Sequence, residues 1–295
     1  MSVSTTHAAA NSSEAITFEA LTPGLGAEIR GVDVSQSLSD AVFSKVLDIL
    51  HDRCVIVFRG QKLKPQQLAT FSARFGELDV HHMIEHTLPD LPTVRVLSNV
   101  VKDGRAIGIA RGGMHWHSDL SYKAKPALGT LLYGIECPPE GADTLFASMY
   151  AAYDSLPQQT KEKLRGLRGV HDRNYRYREL YPNRPPLTPE QIAKIPPVEH
   201  PLVRAHPVTR RHALFVAKDI VSGVIGMDVD EGRHLVAELE QFATQPEFVY
   251  AHKWRAGDLV VWDNRCLLHR ATPYDNRYQR TLWRTQVKGD EPIAG

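Results

Sequence analysis

The chain has 295 residues, 42% of them hydrophobic, and a formal net charge of +1. This length and composition allow one large core or two small ones, and the nearly neutral charge lacks the basic surface of a nucleic-acid-binding protein. The sequence contains no apolar run long enough to span a membrane. We therefore expect no nucleic-acid partner and no membrane insertion.

The N-terminal residues 1–14 are small and polar, which predicts a disordered tail before a single domain over residues 15–295. The three cysteines are Cys54, Cys137 and Cys266. They lie far apart and form no CxxC pair, which favours a reducing, cytoplasmic location.

The first half of the chain predicts a strand followed by helices. Residues 54–60 (CVIVFRG) form a short β-branched run that ends at glycine, which is typical of a buried strand. Residues 65–78 (PQQLATFSARFGEL) carry apolar side chains at helical spacing, and Gly76 predicts the end of this helix. Residues 148–167 also have a helical pattern, which we expect to break near Pro157.

The second half predicts two more helices. Residues 187–195 (LTPEQIAKI) place Thr188 as an N-cap and Gln191 as its capping-box partner. Residues 230–245 (DEGRHLVAELEQFATQ) place apolar side chains on one helical face.

Two further strands are predicted at residues 259–262 and 279–289, and no regular βαβ alternation appears. This pattern disfavours a parallel Rossmann-type sheet and favours a β-sandwich or barrel with helical additions. The stretch from residue 182 to 201 is rich in proline and predicts a long loop insertion. We take residues 174–200 as a candidate lid over a site.

Residues 112–122 read GGMHWHSDLSY and place His117 two positions before Asp119. On an extended strand these two side chains share a face. A neutral imidazole together with a carboxylate suits a divalent metal such as Fe(II). An isolated HxD is also common as a surface histidine beside a turn aspartate, so a third ligand is needed.

His269, in WDNRCLLHR, supplies a third candidate ligand. Two histidines and one carboxylate leave three positions open on an octahedral iron, which a bidentate oxo acid and dioxygen can fill. Arg280 could hold the far carboxylate of such an acid through two parallel hydrogen bonds. Arg284 is an even step further along the predicted strand and should face the same side, although it could also be an exposed strand arginine.

Several blocks occur together in one order: WHSD at 116–119, GADTLFASMYAAYDSLP from Gly141, WDNRCLLHR from Trp262 and RTLWR from Arg280, preceded by FRGQ at 58–61 and RFGEL at 74–78. In this combination the chain resembles the Fe(II)/2-oxoglutarate dioxygenases of the taurine dioxygenase (TauD/TfdA) family. The resemblance covers most of the chain.

The resemblance implies a double-stranded β-helix, that is, a cupin-like jelly roll that is mainly β with helical additions. It implies iron ligands at His117, Asp119 and His269, with Thr144 and Arg280 holding the 5-carboxylate of 2-oxoglutarate. The implied cofactors are Fe(II), 2-oxoglutarate as co-substrate and O2. The implied reaction hydroxylates a substrate C–H bond and releases succinate and CO2, and cytoplasmic homo-oligomers (dimers or tetramers) are usual in the family.

Within the family, LSNVVKDG at 97–104 and EFVYAHKWRAGDLVVWDNR from Glu247 resemble the aryloxyalkanoate branch, whose members include 2,4-dichlorophenoxyacetate enzymes. The taurine enzyme carries a substrate-binding asparagine four residues before its first iron histidine. Gly113 stands at that position here, which argues against taurine itself. A taurine or other alkylsulfonate dioxygenase remains the alternative.

The predicted primary substrate is a small organic anion, most readily an aryloxyalkanoate cleaved at its ether. If Arg280 is neutralised by 2-oxoglutarate, a second inward guanidinium at Arg284 would need an anion from the substrate. By resemblance, His81 lies near the family's substrate-anion histidine, but His82 is adjacent and the register between them stays open. Trp116 is the candidate contact for the apolar part of the substrate.

Two readings from other classes compete with this one. His115, His117 and Asp119 give most of the HxHxD motif of a zinc hydrolase, although Leu120 stands where the metallo-β-lactamase motif has a further histidine. The chain could also be a non-catalytic jelly-roll binding protein. Iron-dependent formation of succinate would distinguish a dioxygenase from both.

Overall fold

The computed structural model describes residues 16–80, 84–110, 112–182 and 185–289. The predicted tail over residues 1–14, as well as His81 and His82, lie outside the described residues. In the described part of the chain the helices are α1 (Asp40–Arg53), α2 (Pro65–Ala73), α3 (Met149–Ser155), α4 (Gln158–Leu164), α5 (Tyr177–Leu180), α6 (Pro189–Ala193) and α7 (Val229–Ala243).

The strands are β1 (Thr17–Ala20), β2 (Ala27–Arg30), β3 (Val55–Phe58), β4 (Thr87–Leu88), β5 (Leu91–Ser98), β6 (Val101–Lys102), β7 (Arg105–Ala106), β8 (Gly129–Glu136), β9 (Thr144–Ser148), β10 (Arg168–His171), β11 (Val198–Pro201), β12 (Val203–Ala205), β13 (His212–Leu214), β14 (Val221–Val224), β15 (Val249–His252), β16 (Leu259–Asp263), β17 (Leu267–Ala271) and β18 (Thr281–Val287).

The strands form a jelly roll of two unequal sheets. The larger sheet has the order β1-β2-β3-β16-β8-β18-β5-β4, and the smaller has the order β15-β9-β17. Pairing is antiparallel except between β2 and β3. A second three-stranded sheet, β11-β10-β14, extends the fold. This architecture confirms the predicted double-stranded β-helix with helical additions.

The central strands of the larger sheet are buried on both faces. In β3, Val55 and Val57 join the core shared with the smaller sheet, where Phe146 of β9 also lies. The alternate residues Ile56 and Phe58 point to the opposite face. Successive side chains of a strand alternate between faces, so these continuous apolar runs supply two cores at once.

Helices α1 and α2 cover the outer face of the larger sheet. Phe43 and Leu50 of α1 and Leu68 and Phe71 of α2 are buried against it. These helices therefore cover one face of the larger sheet, and its other face packs toward the smaller sheet.

Most of the predicted helices are confirmed. The helical stretch over 148–167 divides into α3 and α4 at Pro157, and Thr188 caps α6 with Gln191 as its capping-box partner. Helix α2 ends at Ala73, earlier than Gly76, because the Arg74 N–H turns back to the carbonyls of Phe71 and Ser72.

The segment over 174–200 holds more regular structure than the single helix predicted at 187–195. It contains the short helices α5 and α6, and it runs into β11, which pairs with β10. These backbone hydrogen bonds anchor the end of the segment to the fold. Whether it acts as a lid stays a prediction.

Candidate active site

The three predicted metal ligands converge beside β17, the edge strand of the smaller sheet. His117 and His269 form an isolated antiparallel bridge, in which each backbone N–H donates to the other residue's carbonyl at 3.1 and 2.9 Å. Asp119 follows two residues later. One ligand atom each from His117, Asp119 and His269 lies within 4.8 Å of the other two. Among the residues that the structure describes, this is the one cluster of side chains that could hold a metal ion.

Both histidines offer Nε2 toward the carboxylate. His117 Nδ1 lies 2.8 Å from the carbonyl of His115. A carbonyl can only accept, so Nδ1 carries the proton and Nε2 keeps its lone pair. Burial holds the pKa of His269 well below its usual value, so this ring is neutral. Neutral imidazole is the form that binds a metal.

Asp119 uses its two oxygens differently. Oδ2 accepts from Thr130 Oγ1 at 2.7 Å and pairs with Arg284 Nη2 at 2.6 Å. Oδ1 lies 3.6 Å from His117 Nε2 and receives no hydrogen bond from the described residues. Burial alone would raise the pKa of this carboxyl, but the charge of Arg284, with the Thr130 hydrogen bond beside it, acts against burial, and the pKa lies well below its usual range. The carboxylate is therefore ionised, with Oδ1 free to bind a cation.

A buried network fixes that carboxylate. Asn264 Nδ2 donates to Thr130 Oγ1 at 3.0 Å, so the Thr130 proton is left for Asp119. Asn264 Oδ1 in turn accepts from Trp262 Nε1 at 3.0 Å. Sequence reasoning missed both Thr130 and Asn264 as positioning residues, although the WDN block contained one of them.

Gly113 leaves space for the ring of His117, one of the three candidate metal ligands. Its φ is +68°, a region that residues with a side chain rarely adopt. A Cβ at this position would lie 2.9 Å from His117 Cε1. Its carbonyl accepts from the Ala271 N–H at 2.7 Å, which ties this turn to β17. A side chain here would displace the His117 ring.

Arg280 and Thr144 line the same pocket as the three ligands. The Arg280 side chain lies in front of Tyr274, with its guanidinium carbon 5.8 Å from the ring centroid. It is only 8% exposed, and no carboxylate of the described residues forms an ion pair with it. Burial lowers the pKa of Arg280. A buried guanidinium without an anion is costly, so this end of the pocket fits a carboxylate ligand.

Arg284 also lines the pocket, as its even spacing from Arg280 predicted. The premise that it would be an unpaired charge needs correction, because it already pairs with Asp119. Its other N–H groups have no acceptor in the described part of the chain.

Trp116 does not line the pocket and therefore gives no support to the predicted substrate contact. It packs against the core, with Arg270 over its ring at 5.1 Å. Alternate residues of an extended segment point to opposite sides, so Trp116 faces away from His117. His115 lies in the pocket wall but outside the ligand cluster, and burial lowers its pKa to about 4.

Other parts of the wall come from residues that sequence reasoning did not single out. They are Arg95, Leu97, Ile109, Tyr122, Leu132, Arg173, Leu180, Tyr181 and Ile220. Arg173 packs on the Tyr122 ring at 5.5 Å. Among the described residues of the predicted lid, Leu180 and Tyr181 line the pocket.

A jelly roll with two histidines, one carboxylate and a nearby buried guanidinium defines a metal- and oxo-acid-dependent class of oxygenase. Known proteins agree. Residues 17–286 match the family described as Taurine catabolism dioxygenase TauD, TfdA family. The chain therefore belongs to the TauD/TfdA family and is a 2-oxoglutarate-dependent dioxygenase.

Individual relatives match over nearly the whole chain. The alpha-ketoglutarate-dependent 2,4-dichlorophenoxyacetate dioxygenase of Burkholderia sp. (strain RASC) is 37% identical over 284 residues, covering 93% of this chain and 95% of that protein. The (S)-phenoxypropionate/alpha-ketoglutarate-dioxygenase of Sphingobium herbicidovorans is 33% identical, covering 90% and 92%. The crystal structure of AAD-2 in complex with Mn(II) and N-oxalylglycine has a TM-score of 0.82 at 33% identity, covering 95% of this chain and 100% of that one.

Family membership overturns two alternatives, the zinc hydrolase and the non-catalytic binding protein. The geometry gives the reason for the first, because His115 contributes its backbone carbonyl to His117 and its ring is not part of the ligand cluster.

Proposed function

We propose that this dioxygenase hydroxylates a small aryloxyalkanoate carboxylate at the carbon that bears the ether oxygen. The observation that carries the proposal is a pocket in which three metal-ligand atoms and the buried, carboxylate-free Arg280 lie together. The substrate class is supported by the 2,4-dichlorophenoxyacetate and phenoxypropionate dioxygenases to which the chain is similar.

The donor set fits Fe(II). Two neutral imidazole nitrogens and an ionised carboxylate are the ligands of the facial triad, and three protein ligands leave room for co-substrate and oxygen. In this proposal His117 Nε2, His269 Nε2 and Asp119 Oδ1 hold the metal. Thr130 keeps the remaining Asp119 oxygen engaged.

The Arg280 end of the pocket fits 2-oxoglutarate. The guanidinium would take the 5-carboxylate through two charge-assisted hydrogen bonds, and the Thr144 hydroxyl would add a third. Because both side chains are almost fully buried, little water competes for these donors. The co-substrate is thereby oriented by its distal end, with its oxo-acid end toward the three ligands.

When bound together, Fe(II), 2-oxoglutarate and O2 supply the oxidation, in which one oxygen atom enters succinate as CO2 leaves and the other becomes a hydroxyl on the substrate. An aryloxyacetate hydroxylated beside its ether oxygen is a hemiacetal. It breaks to a phenol and glyoxylate, with the hydroxyl proton passing to the phenolic oxygen.

Arg284 is the proposed anchor for the substrate carboxylate. One of its N–H groups is engaged by Asp119, and the rest of its fork remains for a second anion. Tyr122, Leu180 and Tyr181 would surround the aryl group, with the segment 174–200 closing over it.

The family also leads us to infer a cytoplasmic homo-oligomer, which light scattering after size-exclusion chromatography tests. No helix in the described ranges is long and apolar enough to cross a membrane.

The test is a substrate panel. Iron-loaded protein is incubated with 2-oxoglutarate and with aryloxyacetates, aryloxypropionates or alkylsulfonates, and succinate and phenol are measured. Succinate that rises with an aryloxyalkanoate, together with stoichiometric phenol, is the expected result. Preference for the sulfonates would replace this substrate class with the alternative one.

The ligand assignment has its own test. His117→Ala, Asp119→Ala and His269→Ala should each lose Mn(II) binding in calorimetry, because no spare protein ligand stands in the cluster. His115→Ala is the matched control and should keep it. Unchanged Mn(II) affinity in all three variants would remove the assignment.

A further inference from the structure

The hydroxyl of Thr144 has a partner whose chemistry limits what it can do. Trp254 Nε1 lies 3.0 Å from Thr144 Oγ1, and both residues are buried. An indole N–H can only donate, so Thr144 Oγ1 must accept from it. The Thr144 proton then has no acceptor among the described residues and is left for the pocket that this side chain lines.

The backbone of Thr144 is fixed on both sides. It begins β9, where it is registered with His252 of β15 and with Ala271 of β17. The hydroxyl can therefore change its direction only by rotation of its side chain or of its O–H bond. The hydrogen bond from Trp254 restricts both rotations.

The indole itself is held by packing. Trp254 meets the fully buried His252 edge to face, with ring centroids 4.6 Å apart at 81°. On another side it lies against Gly134 of β8, where an added Cβ would come within 3.2 Å of Trp254 Cε3. The absence of a side chain at Gly134 leaves the space that the indole occupies.

From this geometry we infer that Trp254 is a positioning residue for the co-substrate: it orients the Thr144 hydroxyl so that its proton points at the distal carboxylate beside Arg280. The inference rests on the proposed function, because it requires 2-oxoglutarate to bind at Thr144 and Arg280. Trp254 itself does not touch the co-substrate. It determines the direction of the Thr144 hydroxyl, which is one of the three hydrogen-bond donors that the protein offers to the distal carboxylate.

The test is a double-mutant cycle on Mn(II)-loaded protein, with the affinity for 2-oxoglutarate measured by calorimetry. Trp254→Phe keeps a ring between His252 and Gly134 but removes the N–H, and it should weaken 2-oxoglutarate binding roughly three- to tenfold. In a Thr144→Val background the same change should have no further effect, because no hydroxyl remains to be oriented. Trp283→Phe is the matched control, because Trp283 packs on the face of the larger sheet that helices α1 and α2 cover. This variant should bind 2-oxoglutarate with the affinity of the parent.

Steady-state kinetics give a second readout. The KM for 2-oxoglutarate should rise in Trp254→Phe while kcat and the KM for the primary substrate stay unchanged, a separation that general loosening of the fold would not produce. If Trp254→Phe does not fold, the benzothienyl analogue of tryptophan at this position, in which sulfur replaces the N–H, preserves the shape and takes its place.

The outcomes are distinct. Normal 2-oxoglutarate affinity in Trp254→Phe, or an equal loss in the presence and absence of the Thr144 hydroxyl, overturns the positioning role alone. Failure of the parent protein to bind 2-oxoglutarate overturns the proposed function, and the positioning role with it.

Discussion

Replacing Arg280 with methionine should have opposite effects on co-substrate binding and on the stability of the ligand-free protein. Methionine keeps an unbranched apolar stem but removes the guanidinium. A charge-assisted pair to a buried carboxylate costs about 2–5 kcal/mol when one partner is removed, or roughly 30-fold to several-thousand-fold in affinity. Because Thr144 still offers a donor, we expect the lower part of this range, about 30- to 300-fold for 2-oxoglutarate.

The stability effect follows from the burial of Arg280. Arg280 is 8% exposed and has no carboxylate partner in the described part of the chain, so folding removes its charge from water with the Tyr274 ring but no anion in exchange. The ligand-free Arg280→Met protein should therefore melt at the same temperature as the parent or above it. At the same concentration, 2-oxoglutarate should raise the melting temperature of the parent much more than that of the variant.

Differential scanning calorimetry and titration calorimetry on Mn(II)-loaded protein measure both effects. Arg277→Met is the matched control, because Arg277 is a largely exposed arginine that pairs with Asp275 outside the pocket. It should change neither quantity appreciably. Unchanged 2-oxoglutarate affinity in Arg280→Met would refute the assignment. A large drop in the melting temperature of the ligand-free variant would refute the claim that the guanidinium is uncompensated.

Two further changes test the surroundings of the site, and a third tests a buried histidine outside the pocket. Thr130→Val removes the donor to Asp119 Oδ2 and should weaken Mn(II) binding roughly 10- to 100-fold in calorimetry; unaltered affinity would show that the carboxylate needs no such support. Because Arg284 also pairs with Asp119, Arg284→Met is assayed on Mn(II)-saturated protein, where it should weaken binding of an aryloxyalkanoate more than binding of 2-oxoglutarate; equal affinity of variant and parent for the acid would contradict the anchor. His171 stacks on Phe215 with both ring nitrogens unpartnered among the described residues, and burial lowers its pKa well below the usual value. Below about pH 6.5 His171 binds a proton in the unfolded chain but not in the folded one, so the free energy of unfolding decreases as the pH is lowered. His171→Phe should therefore lose less stability than the parent between pH 7 and pH 5 in thermal melts, and a greater loss would contradict this prediction.

Much of the fold was predictable because local signals agree with it. The break at Pro157 and the cap at Thr188 depend on a few adjacent residues, and both appear where expected. The two-sided burial of β3 was less accessible. A continuous apolar run has no period of two, so the sequence cannot assign Ile56 to the helices and Val57 to the inter-sheet core.

The ligand set was predictable in part. The HxD spacing is local, but the bridge that brings His269 to His117 joins residues far apart in sequence, so His269 was one candidate ligand until the resemblance to a family supported it. Thr130 carried no such signal, and Asn264 lay in the WDN block without any indication of its partner. Their role depends on the hydrogen bonds they make inside the fold, and composition does not reveal which hydroxyl or amide will face a carboxylate.

Arg280 and Arg284 show most clearly what a strand pattern can and cannot establish. An even spacing places both guanidinium groups on one face, and both do line the pocket. The pattern says nothing about the anions that other segments bring to that face. Asp119 arrives from the HxD segment and pairs with Arg284 alone, so the uncompensated charge stays with Arg280. Arg280, at the end of the pocket proposed for 2-oxoglutarate, is therefore the guanidinium that still needs a carboxylate from a ligand. In the proposed function the primary substrate shares Arg284 with Asp119, and we expect its identity to depend mainly on the shape of the surrounding segments, which no spacing rule encodes.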